Sequence, residues 1–183
     1  MDGKSFFLYV GNFKPHKNVD LLVQAFARLV QERQVNDRRL LLVGGDYRNR
    51  HRIDALISKY GMTNHIFIHP NVSDFDLHRL YATADWFVTA SGYEGFGYPP
   101  LEAMTAGCPV ICCPCTSFPE VVGNAALEIS GLTVEGIMNV LRQALNMQPA
   151  GKLDLVERGK KQAKQFLPSS AAGNFARILL ELA

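Results

Sequence analysis

The sequence predicts an α/β fold built on a doubly wound parallel sheet. Three features predict it: short apolar runs rich in β-branched and aromatic residues, single amphipathic helical segments between them, and glycine-bearing polar loops at the run ends. "FFLYVG", Phe6 to Gly11, is the first buried strand. Val19, Leu22, Val23, Phe26, Leu29 and Val30 recur at three- and four-residue steps, which gives a helix with one apolar stripe. "LLLVGG" is the second strand, and Arg48 to Lys59, with Ile53, Leu56 and Ile57, is its helix. "HIFIH" is the third strand. Ser73, followed three residues later by Asp76, resembles a capping box and opens a helix through Leu77, Leu80 and Tyr81.

"DWFVTA" is the fourth strand, and a helix from about Pro99 follows, with proline suited to its first turn and Gly107 to its stop. "PVICC" is the fifth strand. A short helix from Phe118 to Val122, a strand "ALEIS", and helices over Val134 to Leu145, Leu153 to Phe166 and Ala172 to Leu182 complete the series. Strands separated by single helices need right-handed crossovers, so the expectation is a Rossmann-like layer of about six strands. No repeat, low-complexity segment or long linker divides the chain, and residues 1–183 read as one domain.

Composition narrows the function. Apolar residues make up 48% and charged residues 20%, as in ordinary globular proteins. Nineteen basic and seventeen acidic side chains are mixed along the chain, so no nucleic-acid partner is implied, although a cluster such as "KPHK" suits a small anion. Cys108, Cys112, Cys113 and Cys115 lack a second pair at ligand spacing, and are expected to be free thiols in and after a buried strand, with no metal. There is no membrane-spanning run and no signal pattern, which points to a cytoplasmic chain. Peripheral membrane association through a further segment stays open.

A parallel sheet of this kind binds ligands at the carboxyl ends of its strands. The loops to read are therefore "GNFKPHKN", "GGDYRNR", "HPNVSD" and "ASGYEGFGY". The Gly-x-Gly-x-x-Gly fingerprint is missing from the first, so a conventional NAD site is not expected. Asp46 and Tyr47 end one strand and read equally as cleft lining or a simple turn, while Asp85 reads as structural.

Glu94 and Glu102 lie eight residues apart, too far for a facing acid and base. Between them Gly95, Phe96, Gly97 and Tyr98 lead into a helix N-terminus, where unpaired N–H groups and the helix dipole favour an anion. Pro99 and Pro100 have no N–H, which confines the donors to the residues just before them. Hydroxyls at both ends and phosphates in the middle would suit this layout, as in a nucleoside diphosphate sugar.

"EGFGYPPLE", followed by "AMTAGCPVI" and "SFPEVVGNAA", resembles the C-terminal nucleotide-sugar-binding domain of retaining GT-B glycosyltransferases, the group 1, family-four type. Upstream, "LYVGNFKPHKNVDLLVQAF", "LLLVGG" and "IFIHPNVSDFDLHRLYATADWFVTAS" extend the resemblance, which is close over roughly residues 6 to 130. By that resemblance Glu94 contacts donor-sugar hydroxyls near the reacting carbon, Glu102 accepts from the ribose hydroxyls, and Lys17 neutralises the diphosphate. Val72 offers its main chain to the base. Gly95, Phe96, Gly97 and Tyr98 form the loop against the phosphates, with the Phe96 side chain packing to shape it. The family commonly carries an arginine where this chain has Asn12, so Lys14, His16 or Arg48 is expected to complete the diphosphate clamp.

The resemblance further implies metal-independent transfer of a mannosyl or glucosyl unit from a UDP- or GDP-linked sugar, with retention and no cofactor, in polysaccharide biosynthesis. It also implies an N-terminal acceptor domain that this chain lacks or a separate subunit that replaces it, so that the chain alone binds donor but does not catalyse, and an exposed cleft face open to homodimerisation. Two other readings remain: another GT-B-like enzyme, such as an epimerase or a phosphorylase, and a non-catalytic interaction or nucleotide-binding module on the same fold.

Overall fold

The computed structural model describes residues 5–35, 37–45 and 47–167, without the side chains of Tyr47 and Arg48. Asp46, any part played by Tyr47 or Arg48 in the cleft, and the helix expected over Ala172 to Leu182 lie outside what is described.

Six parallel strands form one sheet: β1 (Phe6–Gly11), β2 (Arg39–Gly44), β3 (Ile66–His69), β4 (Trp86–Thr89), β5 (Val110–Cys112) and β6 (Ala126–Glu128), in the order β3-β2-β1-β4-β5-β6. Between and after them come α1 (Val19–Gln31), α2 (Tyr47–Lys59), α3 (Asp74–Thr83), α4 (Tyr98–Thr105), α5 (Phe118–Val122), α6 (Val134–Leu145) and α7 (Pro149–Ala163). The doubly wound α/β class expected from the sequence is the one observed.

Alternating strand residues feed two apolar cores. Phe7 and Tyr9 of β1, Leu40 and Leu42 of β2, and Trp86 and Val88 of β4 face α1, α2 and α6. Phe6, Leu8, Leu41, Val43, Phe87 and Val110 face α3, α4 and α5. Because helices cover both faces, the strands are apolar throughout instead of alternating apolar with polar.

Local signals account for the element ends. The Ser73 hydroxyl accepts from the Asp76 N–H at 3.1 Å and donates to Asp76 Oδ2 at 2.7 Å. This is a variant of the capping box, since the acid grips the capping hydroxyl where it would ordinarily reach the cap's own N–H. Gly107, at φ +77°, closes α4: its N–H reaches Met104 O at 3.1 Å and the Cys108 N–H reaches Ala103 O at 2.8 Å, satisfying two terminal carbonyls. One expectation needs correction: α7 begins at Pro149, not near Leu153, because that proline supplies the preset φ of a first turn. Within the loop "GNFKPHKN", Pro15–Lys17 forms a single 3-10 turn.

At the carboxyl edge β1 and β2 approach closely. A Cβ on Gly44, whose φ is +99°, would lie 2.6 Å from Gly11 O. Gly44→Ala should therefore cost about 1–3 kcal/mol in backbone strain alone, and more once the carbonyl contact is added. A urea midpoint within error of the parent would show that the two strand ends separate freely.

Candidate active site

Ligand sites in open parallel sheets form where strand order reverses, because the loops after the two central strands leave toward opposite faces. Here that place lies between β1 and β4. β1 pairs with β2 along all six residues but with β4 only at Phe7↔Trp86 and Leu8↔Phe87, so the two strands part toward their carboxyl ends.

Side chains and loops close the gap. Asn18, in left-handed conformation at φ +50°, ends the 3-10 turn and donates from Nδ2 to Ala90 O at 2.9 Å. The Gly92 N–H donates to His16 O at 2.8 Å. These bonds hold the loop after β1 against the loop after β4, and Lys17 Nζ meets Glu94 Oε1 at 2.5 Å. Both side chains are 15% exposed, so the pair is screened far less than a surface pair.

The Glu94 backbone is held from the other side. Its N–H donates to Thr116 Oγ1 at 3.0 Å, and its carbonyl accepts from the Thr116 hydroxyl at 2.9 Å and the Ser117 hydroxyl at 3.2 Å. The Cys115 thiol donates to Ser91 O at 3.0 Å. The loop carrying Glu94 is thus fixed between the segments that follow β1 and β5.

Next comes the mouth of α4. Gly97 sits at φ +106°, and a Cβ there would lie 2.6 Å from the Phe118 ring, so a larger residue is excluded by both backbone and space. Phe96 packs on Tyr98 and Phe166, with ring centroids 4.9 and 5.7 Å away, as expected of a residue that shapes the loop. Gly95 is exposed and Tyr98 is 67% exposed. Since Pro99 and Pro100 carry no N–H and the Leu101 N–H already turns back to Gly97 O, the helix offers an anion the N–H groups of Gly97 and Tyr98.

Asn12 uses its carbonyl to accept from the Tyr9 hydroxyl at 2.6 Å and its side chain to accept from the Lys14 N–H at 3.2 Å. It shapes the first turn and adds no positive charge there, and Lys14 stands exposed nearby.

Glu102 lies about one turn into α4 on its exposed face, and the buried Tyr81 of α3 donates to its Oε2 at 2.9 Å. Burial and then the Glu102 charge push the Tyr81 phenol well above its ordinary range, so it stays protonated as a donor. A cleft of about 340 Å³ lies between α3 and α4 at this point. Val72, between β3 and α3, lines a larger cleft of about 760 Å³ that runs back to Ser5 and Asp85 at the amino ends of the strands. Lys17, Glu94 and Glu102 do not line that larger cleft. Asp85 is structural, 3.5 Å from Arg38 and 3.8 Å from Lys152.

The structure therefore joins Lys17 to Glu94 and places Glu102 apart from them, on Tyr81. Four participants escaped the sequence reading: Asn18, Tyr81, Thr116 and Ser117. Asn18 directly precedes an apolar helix, an arrangement that signals a cap; nothing in the sequence ties the other three to the glutamates.

Comparison with known proteins gives one consistent result. A family model described as "Glycosyl transferases group 1" matches residues 1–166. The chain is 38% identical over 161 residues to the O-antigen chain mannosyltransferase B of Escherichia coli, covering 87% of this chain and 41% of the relative. Among solved structures it resembles WaaG, a glycosyltransferase involved in lipopolysaccharide biosynthesis, with TM-score 0.78 and 26% identity over 97% of this chain and 47% of the other. It also resembles sucrose-phosphate synthase from Thermosynechococcus elongatus, with TM-score 0.79 and 26% identity over 100% of this chain and 47% of the other. The chain thus spans somewhat under half the length of these proteins.

The thiols behind the site allow a check on its packing. All four are free, Cys108 and Cys112 buried and Cys113 and Cys115 half-buried, and burial raises the pKa of each, Cys108 to about 12. Iodoacetamide at pH 7.5 should label Cys113 and Cys115 slowly and reach Cys108 and Cys112 only after denaturation. The native state keeps protons that the unfolded chain releases from roughly pH 8.5 upward, so stability should fall as pH rises from there toward 12. Native labelling of Cys112 as fast as Cys113 would contradict this packing.

Proposed function

The chain belongs to the glycosyl transferases group 1 family, and from that membership we propose that it is the donor-binding half of a hexosyltransferase that uses a nucleoside diphosphate sugar. The observation that carries this reading is the Lys17–Glu94 contact of 2.5 Å, set across the β1–β4 gap beside the N-terminus of α4. A cation and helix N–H groups there suit a diphosphate, and a carboxylate beside them suits sugar hydroxyls. Glu102 then takes the ribose hydroxyls, and the main chain at Val72 meets the base.

When the bond between sugar and diphosphate breaks, negative charge grows on the leaving phosphate and positive charge on the sugar. Lys17 and the N–H groups of Gly97 and Tyr98 stabilise the first, and Glu94 the second. Because these groups supply the countercharge, and the Asp-x-Asp triplet of the chain, Asp74-Phe75-Asp76, lies in the first turn of α3 with Asp76 bonded to the Ser73 hydroxyl, the transfer is proposed to be metal-independent. Retention of configuration is proposed by analogy with the family. The similarity to a mannosyltransferase of O-antigen chains makes GDP-mannose the first donor to test and a cell-surface polysaccharide the acceptor class. The acceptor-binding half is assigned to a further domain or subunit, since this chain spans 41–47% of the proteins it resembles.

Calorimetric and thermal-shift titration with GDP, UDP, ADP and GDP-mannose tests the donor site. A ligand at one hundred times its Kd stabilises the native state by about 2.7 kcal/mol. Lys17→Ala should weaken the favoured nucleoside diphosphate about tenfold or more, the weight of a charged hydrogen bond, and Glu102→Ala should weaken it while sparing pyrophosphate. Absence of binding by all four ligands would sink the reading and favour a non-catalytic module on the same fold.

A further inference from the structure

Building on the ribose role given to Glu102, we infer that Tyr81 is a positioning residue for the nucleoside: its hydroxyl holds the Glu102 carboxylate in the orientation that receives the ribose 2′- and 3′-hydroxyls. The two residues are 21 positions apart and sit on different helices, and their hydrogen bond measures 2.9 Å. Tyr81 is 2% exposed, with its ring tilted against Phe87 at 5.9 Å between centroids, so the donor is anchored in the core. Glu102 is exposed and would otherwise sample many rotamers.

An ionised carboxylate has about four acceptor positions on two oxygens. Tyr81 occupies one of them, on Oε2, and leaves Oε1 and the rest of Oε2 for the vicinal diol of a ribose. The bond borders the cleft of about 340 Å³ between α3 and α4, which Leu77, His78, Leu101 and Thr105 also line. Ser73, immediately after Val72, caps α3, which carries Tyr81 near its other end. One rigid helix thus relates the loop proposed for the base to the carboxylate proposed for the ribose.

Tyr81→Phe keeps the ring and its packing and removes only the donor. It should weaken GDP or UDP, whichever the parent chain binds, about tenfold, while the matching 2′,3′-dideoxynucleotide diphosphate loses less than twofold. In the Glu102→Gln background the same change should add nothing further, the behaviour of two residues acting as one unit. Equal losses for ribo- and dideoxynucleotides would mean that Tyr81 supports only the fold, and would overturn the inference. Unchanged GDP and UDP affinity in Tyr81→Phe, with Glu102→Ala still impaired, would overturn it and leave the proposed function standing. A parent chain that binds neither nucleotide, or a Glu102→Ala chain that binds as well as the parent, would overturn the ribose role and this inference together.

Discussion

The divergence of β1 from β4 is the constraint on which the rest of this edge depends. Two registered pairs, Phe7↔Trp86 and Leu8↔Phe87, hold the strands side by side near their amino ends, while β1 continues alongside β2 to Gly11. A parallel strand that loses its neighbour leaves backbone donors and acceptors in need of partners. Asn18 and His16 supply them, through Ala90 O and the Gly92 N–H. The left-handed backbone of Asn18 is what turns the chain from the 3-10 segment into α1 while its amide reaches β4. The meeting of Lys17 and Glu94, 77 residues apart, is thus a consequence of how the gap is closed.

The same edge is sculpted by exclusion. Gly44 admits the carbonyl of Gly11, Gly45 admits the ring of Phe13, and Gly97 admits the ring of Phe118, each at a spacing that a Cβ would violate. All three have positive φ, so backbone conformation and space make the same demand. The strand ends and the mouth of α4 can then approach one another closely enough for main-chain groups to line the cleft.

Much of this was legible in the sequence, for a definable reason. Apolar periodicity is a local property, and it placed all six strands and the bounds of α5 and α6. Local chemistry marks several element ends: Gly107 and Ser73 act as read, and Pro149 opens α7 as a first-turn proline, ahead of Leu153, where the expected helix begins. Tyr81 illustrates the limit. In a helical stripe with Leu77 and Leu80 it reads as core, and its ring is core. Only tertiary structure reveals that its hydroxyl leaves the core for Glu102. Thr116 and Ser117 were hidden in the same way, since polar residues before a short helix look like caps, and their hydroxyls serve Glu94.

The two glutamates are held by different physics, and the difference bears on the proposed chemistry. Glu102 has a neutral partner, the Tyr81 hydroxyl, which supplies a hydrogen bond and no countercharge. Glu94 has a cationic partner, and the pair is largely removed from water by the fold itself. On the proposed reading a diphosphate sugar exchanges the bond between Lys17 and Glu94 for two others, phosphate on the cation and sugar hydroxyl on the carboxylate. Most of the desolvation of both groups then belongs to folding, not to binding. That is the preorganisation an electrostatic catalyst requires: the groups that meet the developing charges already stand in place, and little solvent has to rearrange when the bond breaks.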